Sequence, residues 1–266
     1  MIPHWVFLVC IGLAVNLVGF RKFIWFVSLG YAFSVTSLVV GLGFLFRAEL
    51  TIPMLLMLAV LAAYSLRLGL FLSIREATGG HYQKVLDEAT SAVRKVPFFV
   101  SVAVWIAVTL LFFAQVSPLY FRLGNGMVHK DEPLFIAGLA VSLFGFIMQA
   151  AADAWKSAAK KKDPSRFVSS GLYRLVRCPN YFGEILVWTG VFLGSLTCLT
   201  NFWQWLVSSL GYAGIVFIMF NGARRLEKRQ LESYSVDPEY QAYAAKVPIL
   251  IPFIPLHSLQ AWKFLG

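Results

Sequence analysis

Residues 97–118 read PFFVSVAVWIAVTLLFFAQVSP, a run of 22 residues without one charged side chain. A helix needs about 20 mostly apolar residues to cross the hydrocarbon core of a bilayer. Lipid supplies no hydrogen-bond partners, so an apolar run of this length is expected to satisfy its own backbone as a transmembrane helix. This stretch predicts the fold class, an all-α integral membrane protein.

The same pattern recurs on both sides of this run. Seven stretches qualify as spans: 2–20, 23–46, 52–72, 97–118, 133–152, 181–200 and 202–221. The chain of 266 residues is 59% hydrophobic and only 14% charged, whereas soluble domains have about 25% charged residues. This composition excludes a soluble enzyme, a disordered chain and a secreted disulfide scaffold. The first run is followed by Arg21 and Lys22 instead of a small-residue cleavage site, which favours a retained span over a signal peptide.

Basic residues indicate the orientation. The chain has 23 Lys and Arg against 13 Asp and Glu, a net charge of +10. With the N-terminus outside, 19 of those 23 residues fall on the cytoplasmic side, as the positive-inside rule requires. We therefore predict seven transmembrane helices, an outside N-terminus and a cytoplasmic tail. The apolar, Pro-broken ending at 248–255 is predicted to pack back on the bundle or to lie in the membrane interface.

Polar side chains at membrane depth are informative, because each costs a few kcal/mol unless it is paired or faces a cavity. Tyr64 and Arg67 lie three residues apart on one face of the third span, although an Arg there can also snorkel to the interface. The fifth span ends in a stripe with spacings of four, three and four: Gln149, Asp153, Lys156 and Lys160. The stripe is either an interfacial helix end or one wall of a polar cavity.

The strongest pattern of polar residues lies in the loop before the sixth span and at the beginning of that span. The loop is basic, with Arg166, Arg174 and Arg177, which is typical of a topology signal or a lipid contact and also suits phosphate. In 178–184, CPNYFGE, Pro179 suits the first position of a helix, so Asn180 and Glu184 share a face one turn apart. Capping explains Asn180 but not a carboxylate at the membrane boundary, and the pair is predicted to bind a ligand.

The pattern Gln149-x3-Asp153-x2-Lys156 followed by 171–184, GLYRLVRCPNYFGE, resembles the steroid 5-alpha-reductase family. More closely, it is similar to bacterial integral-membrane reductases that share the C-terminal domain of that family. The similarity covers roughly 149–255 and includes Arg225-Leu226-Glu227-Lys228; upstream it thins to Tyr64-x2-Arg67. Cys178 stands where the bacterial members commonly have His.

The resemblance implies a single membrane domain of seven helices, with NADPH in a cavity open to the cytoplasm of a bacterial inner membrane. Residues 1–148 would form the substrate side and 149–266 the cofactor-binding half. Asn180 and Glu184 would hold the nicotinamide end of NADPH. The implied cofactor-binding residues are Arg67, Gln149, Asp153, Lys160, Arg166, Asn180, Glu184, Arg225 and Tyr234.

The implied chemistry is hydride transfer to the β carbon of a conjugated enone, such as a 3-oxo-4-ene steroid, with protonation of the α carbon. Tyr64 would be catalytic, donating a hydrogen bond to the carbonyl oxygen as negative charge develops there. The steroid reductases pair this Tyr with a Glu from an earlier helix, but the first two spans contain no acid. Two alternatives are left open: the partner of Tyr64 is Ser28, Tyr31 or Asn16, or the substrate differs from that of the steroid reductases.

Two other functions stay open. Isoprenylcysteine and phospholipid methyltransferases also use a Pro-x-Tyr motif and a later Glu-containing segment. In such an enzyme, residues 225–227 would bind S-adenosylmethionine. Those methyltransferases carry a paired Glu-Glu at this place, whereas this chain has Glu227 alone. A transporter would place charges near the midplane and often show repeats. The scattered histidines predict no metal site. Expected partners are a lipophilic small-molecule substrate and the lipid bilayer, without nucleic acid, for a monomeric protein.

Overall fold

The computed structural model describes residues 3–78 and 96–265. His81, Lys84, Arg94 and Lys95, the last three of which contribute to the positive-inside count, lie outside the described residues. In the described ranges all regular secondary structure is helical. The α-helices are α1 (His4–Asn16), α2 (Leu29–Leu45), α3 (Ile52–Thr78), α4 (Phe98–Gly124), α5 (Glu132–Lys162), α6 (Pro179–Ser195), α7 (Phe202–Tyr234) and α8 (Pro238–Lys246). Short 3-10 turns occur at Leu17–Phe20, Phe23–Phe26, Gly171–Arg174, Leu196–Cys198 and Lys263–Leu265.

Six helices in the described part of the chain are long and apolar enough to cross a membrane. They are Phe23–Leu45, Ile52–Ala77, Phe98–Gly124, Glu132–Lys162, Pro179–Cys198 and Phe202–Tyr234. The predicted all-α membrane fold class is therefore confirmed. The first predicted span forms a shorter apolar helix, His4–Phe20, because a 3-10 turn follows the 13 residues of α1. Those 13 residues extend about 20 Å, less than the roughly 30 Å of a hydrocarbon core, and the seven-span count stays a prediction.

Two helices continue well beyond the apolar runs that predicted them. α5 extends to Lys162 instead of ending near residue 152, and α7 extends to Tyr234 instead of ending near residue 221. A polar segment can continue a helix in water, because every backbone group keeps its intrahelical partner and Ala, Lys, Glu, Arg and Gln have good helix propensity. These extensions carry Lys156 and Lys160 on α5 and Arg229 and Tyr234 on α7, four polar side chains of the candidate site.

The chain divides into two compact units. Unit 1 comprises Met1–Leu139 and Val191–Tyr212, and unit 2 comprises Ala140–Gly190 and Ala213–Gly266. This division differs from the predicted boundary between residues 148 and 149. Since the units are defined by packing alone, the assignment of a substrate half and a cofactor half stays a prediction.

In unit 1, α2 packs against α1 and α3, and α4 packs against α1 and α2. The fully buried guanidinium of Arg122 on α4 donates to the carbonyls of Gly194 (2.9 Å) and Lys130 (2.6 Å). It also lies over the ring of Phe135, 4.3 Å from the ring centroid. A buried cation needs such partners, and these bonds tie the loop after α4 to the end of α6.

In unit 2, α5 and α6 cross at two glycines. A Cβ added at Gly145 would lie 2.6 Å from the carbonyl oxygen of Gly183 and 2.6 Å from the amide nitrogen of Val187. Next to the crossing, the Ser142 hydroxyl donates to the carbonyl of Val187 at 2.8 Å. Small residues let membrane helices approach this closely, so the missing side chains set the spacing of the two helices.

Gly145→Ala is expected to lower the free energy of unfolding by about 1–3 kcal/mol, because the added methyl group overpacks the crossing of α5 and α6. The measurement is thermal or denaturant unfolding of the protein in detergent. Gly124→Ala is the matched control, since a Cβ there would meet nothing within 4 Å. The control adds the same methyl group at the last residue of α4. Equal stability of the two variants would contradict the close crossing.

The C-terminal segment folds back on unit 2. The backbone N–H groups of Arg177 and Cys178 donate to the carbonyls of Pro248 (2.9 Å) and Ile249 (3.0 Å). Ile249, Leu250, Leu259 and Leu265 share a buried apolar cluster with Cys178. Of the two predicted fates of the apolar ending, packing back on the helices is the one observed.

Candidate functional site

The crossing of α5 and α6 brings a buried acid and a buried amide together. The Gln149 Nε2 donates to the Glu184 carboxylate at 2.5 Å, and the two residues are only 4% and 3% exposed. Gly145 precedes Gln149 by one turn, and Gly183 directly precedes Glu184, so the glycine contact sets this spacing. Asn180 lies one turn before Glu184, at the start of α6. Two amides and a carboxylate here form a group that suits a carboxamide or a ribose.

A cavity of about 180 Å³ lies in unit 2, farther along α5. Its charged lining is entirely basic in the described structure: Lys156, Lys160, Arg177 and Arg229. Tyr173, Gln230, Ser233 and Tyr234 complete the polar lining. Basic side chains gathered without a lining carboxylate favour an anion, and the planar fork of Arg suits phosphate.

The extension of α7 provides one wall of this cavity. Leu226, Arg229, Gln230, Ser233 and Tyr234 line it at spacings of three, one, three and one, which is one face of a helix. The Lys160 ammonium donates to the Tyr234 hydroxyl at 3.0 Å and to the carbonyls of Pro164 and Arg166 at 2.9 and 2.8 Å. Lys160 therefore joins the end of α5 to the following loop and to α7.

Burial keeps the side chains of Tyr173, Tyr243 and Cys178, which lie beside the cavity, neutral. Burial raises the pKa of Tyr173 and of Tyr243, so both keep their protons. The Tyr243 hydroxyl donates to the Tyr173 carbonyl at 2.7 Å. Burial also raises the pKa of the Cys178 thiol to about 12. Because the thiolate is the nucleophile, Cys178 serves as a small apolar residue.

A buried ion pair lies behind the cavity. The Arg177 guanidinium and the Glu227 carboxylate are 3.3 Å apart, with side chains 2% and 3% exposed. Arg177 also donates to the carbonyl of His257, and Glu227 accepts the backbone N–H of Leu259 at 2.9 Å. The pair thus connects the loop before α6, helix α7 and the C-terminal segment.

The structure joins some of the predicted cofactor residues and separates others. Gln149 meets Glu184, and Lys160 meets Tyr234. Asp153 is half-buried on α5 between these two sets. Arg166 is instead on the surface, where it pairs with the exposed Glu239 at 2.7 Å. Arg225 is exposed and outside the cavity lining.

Three cavity cations are absent from the predicted cofactor set. They are Lys156, Arg177 and Arg229. Lys156 belongs to the stripe on α5 that the spacing identified. Arg229 lies three residues after Leu226 and shares its helical face, but this spacing is informative only once α7 is known to continue to Tyr234. Arg177 was singled out in the basic loop, but its cavity position depends on the folded-back tail.

In unit 1, Tyr64 is fully buried on α3. Its hydroxyl lies 2.9 Å from the hydroxyl of Tyr31 on α2. The other two candidate partners are engaged elsewhere: the Ser28 hydroxyl donates to the carbonyl of Ile24, and the Asn16 amide donates to Thr109. Tyr31 is therefore the candidate partner that contacts Tyr64. Arg67 is half-buried one turn farther along α3.

A family model described as a protein of unknown function, DUF1295, matches residues 15–247, most of the chain. The chain belongs to this family. The predicted resemblance to the steroid 5-alpha-reductase family is confirmed by curated relatives of the DUF1295 chain. This chain is 28% identical over 133 residues to steroid 5-alpha-reductase DET2 of Gossypium hirsutum, and the match covers 47% of this chain and 46% of the relative. It is 26% identical over 125 residues to 3-oxo-5-alpha-steroid 4-dehydrogenase 1 of Rattus norvegicus, covering 46% and 43%.

A methyltransferase is also similar to this DUF1295 chain. Protein-S-isoprenylcysteine O-methyltransferase of Schizosaccharomyces pombe is 34% identical over 98 residues, covering 37% of the chain and 38% of the relative. The chain spans less than half the length of each of these relatives. No solved structure matches it.

The residues present fit NADPH in two parts. The basic cavity is smaller than the roughly 300–1,000 Å³ of a typical small-molecule pocket, so it suits phosphate groups and not a whole dinucleotide. Gln149 and Lys156 are seven residues apart on α5, about 10 Å along the helix axis. The acid–amide group and the basic cavity would therefore contact different parts of one extended dinucleotide.

Proposed function

We propose that the protein is a membrane reductase that uses NADPH to reduce the C=C bond of a lipophilic enone, such as a 3-oxo-4-ene steroid. One observation carries this proposal: helix α5 contributes side chains both to a buried acid–amide pair and to a basic cavity. The similarity to steroid 5-alpha-reductases at 25–28% identity supports it. The reaction would be that of an oxidoreductase acting on CH–CH bonds.

Bound NADPH would supply the hydride that adds to the β carbon of the enone. Glu184 and Asn180 hold the carboxamide end of the cofactor in this proposal, and the hydrogen bond from Gln149 orients the Glu184 carboxylate. Lys156, Lys160 and Arg229 neutralise its phosphates beside Arg177, whose charge Glu227 balances. Tyr234 lines the cavity, while Arg67, Asp153, Arg166 and Arg225 stay proposed cofactor contacts outside the cavity lining.

The Tyr31–Tyr64 pair provides the second element of the proposal. As the hydride adds to the β carbon, negative charge would build on the carbonyl oxygen, and a proton from solvent would then add to the α carbon. The Tyr64 hydroxyl donates a hydrogen bond to this oxygen, and the Tyr31 hydroxyl, 2.9 Å away, orients it. Both side chains are buried, and a hydrogen bond aimed at developing charge is strongest where water is excluded.

The proposed setting is a bacterial inner membrane. We infer seven spans, an outside N-terminus and a cavity open to the cytoplasm, because the basic residues concentrate on one side of the predicted spans. The apolar helices suit a substrate that arrives from the bilayer. The protein is proposed to act as a monomer.

The cofactor assignment is tested by NADPH binding in detergent. Glu184→Gln and Arg229→Ala are each expected to raise the NADPH dissociation constant about tenfold or more, since each removes a charge-assisted hydrogen bond worth about 1.5–3 kcal/mol. Lys228→Ala is the matched control, because it removes a neighbouring exposed cation outside the cavity lining. Unchanged affinity in both variants would overturn the cofactor assignment.

A methyltransferase is the alternative function, favoured by the 34% identity to the isoprenylcysteine enzyme. The bonding of Glu227 counts against it, because its carboxylate already accepts from Arg177 and from the Leu259 N–H. Binding of S-adenosylmethionine without binding of NADPH would favour this alternative. NADPH consumption with a panel of 4-ene-3-ketosteroids and short enones tests the substrate class, and no reduction of any of them would remove the enone half of the proposal.

A further inference from the structure

Gln115 lies in the interior of unit 1, on the membrane-spanning helix α4, with its amide unused. The residue is 2% exposed. Neither its Oε1 nor its Nε2 has a hydrogen-bond partner within residues 3–78 and 96–265. Buried polar side chains in folded proteins nearly always have a partner. The amide therefore marks a position where another molecule supplies one.

The backbone at Gln115 is held in place. A Cβ added at Gly211 on α7 would lie 2.3 Å from the Ala114 carbonyl oxygen and 2.5 Å from the Gln115 amide nitrogen, so the two helices touch at this peptide bond. The next turn is held by a hydrogen bond of 3.1 Å between the hydroxyls of Ser117 and Ser208. A side chain on such a fixed element is preorganised for binding.

On α4, Gln115 lies one turn from Phe112, the residue that contacts Tyr31 of the tyrosine pair. The rings of Tyr31 and Phe112 are 5.1 Å apart between centroids, and Gln115 follows Phe112 by three residues. Farther along, the rings of Phe46 and Tyr120 are 5.9 Å apart. Because these two contacts occur in the same order along both helices, α2 and α4 run parallel.

Ser34 is a second buried polar residue, and it lies on the same side of the Tyr31–Phe112 contact as Gln115. It follows Tyr31 by three residues on α2, it is fully buried, and its hydroxyl has no partner in the described chain. One helical turn is about 5 Å. Ser34 and Gln115 thus both lie about a turn beyond the Tyr31–Phe112 contact.

We propose that Gln115, assisted by Ser34, binds a second neutral oxygen of the substrate (the remote oxygen), about one helical turn beyond the Tyr31–Phe112 contact. This inference rests on the proposed function and narrows its substrate to an apolar enone that carries this second oxygen as a hydroxyl or oxo group. An amide both donates and accepts, so it matches either group. Neither Gln115 nor Ser34 carries a charge, so a neutral group fits.

The test compares two enones that differ only in the remote oxygen, one hydroxylated and one deoxy. For the parent protein we expect the hydroxylated enone to have a kcat/KM at least about tenfold higher, because a site built for a hydroxyl rejects the analogue without it. In Gln115→Leu this preference is expected to disappear, through loss for the hydroxylated enone and little change for the deoxy enone. Ser34→Ala is expected to reduce the preference partly.

Ser117→Ala is the matched control on the same helix. Its hydroxyl is buried but bonded to Ser208, so the variant is expected to lower stability and leave the preference between the two enones unchanged. Gln115→Leu is similar in shape and removes an unpaired amide, so it is expected to unfold at the parent temperature or above.

Equilibrium binding of both enones, read from the thermal shift of the protein in detergent, separates the two proposals. If the parent reduces both enones equally, or if Gln115→Leu lowers kcat/KM equally for both, the remote contact is overturned and the reductase proposal stands. If neither enone is reduced, the proposed function fails. In that case a binding preference that Gln115→Leu abolishes still supports the remote contact, and the absence of any preference overturns it.

Discussion

Tyr64→Phe is expected to lower kcat for enone reduction by about 10²–10³-fold, the usual effect of removing one donor to a developing oxyanion. The ring keeps its packing on α3, and only the hydroxyl 2.9 Å from that of Tyr31 is lost. The measurement is the rate of NADPH consumption at saturating enone and cofactor. The NADPH dissociation constant is expected to stay unchanged, because the proposed cofactor residues of the acid–amide pair and the basic cavity lie on α5, α6 and α7 and in the loop before α6.

Two further variants give this prediction its controls. Tyr31→Phe is expected to have a smaller effect on kcat, since Tyr31 acts on the carbonyl oxygen through Tyr64. Tyr120→Phe removes a tyrosine hydroxyl elsewhere in unit 1, where the ring packs on Phe46 and Phe113, and is expected to leave kcat unchanged. A Tyr64→Phe protein with the parent kcat would exclude Tyr64 from the chemistry.

Loss of one partner of the buried Arg177–Glu227 pair is expected to lower the free energy of unfolding by about 3–5 kcal/mol, because the remaining charge is left buried without its counter-charge. Glu227→Gln and Arg177→Met each remove one partner. The double variant Arg177→Met, Glu227→Leu is expected to recover much of that loss, since apolar residues often replace a buried pair at little cost. Denaturant unfolding in detergent measures all three.

The surface pair Arg166–Glu239 is the matched control in the same unit. Its side chains are 61% and 70% exposed, so Arg166→Met is expected to cost less than about 1 kcal/mol. Equal effects for the exposed and buried pairs would contradict the role of Arg177 and Glu227 in holding the C-terminal segment. The Glu227→Gln protein also tests the alternative function. Parent stability with loss of S-adenosylmethionine binding would make Glu227 a ligand of that cofactor.

Much of the candidate site follows from spacing along the chain. Gln149, Lys156 and Lys160 share a helical stripe, and Asn180 and Glu184 share a face, because helix periodicity is a local property. The lengths of α5 and α7 were underestimated, since an apolar run reports where the hydrocarbon ends and not where the helix ends. Arg229 was missed for this reason.

The positions of the basic residues could not be read from the sequence. The resemblance implies that Arg166 and Arg225 contact cofactor phosphates; in the structure Arg166 pairs with Glu239 on the surface and Arg225 is exposed outside the cavity lining, and their role stays a prediction. Arg177, in contrast, is buried. Basic residues in a cytoplasmic loop have similar sequence signals whether they contact lipid, water or a ligand, and only their packing separates these cases.

The amino-acid sequence by itself determined the membrane class, the all-α architecture and the residue types of the candidate site, because hydropathy over 20 residues and a period of 3.6 are properties of short segments. Only the tertiary structure decided the partners: Tyr31 for Tyr64, Gln149 for Glu184 and Arg177 for Glu227, separated by 33, 35 and 50 residues. It also showed that the Gln115 amide is buried without a partner in the described chain. Such pairings depend on which helix faces meet and how closely glycines let them approach, and neither is a property of any one segment.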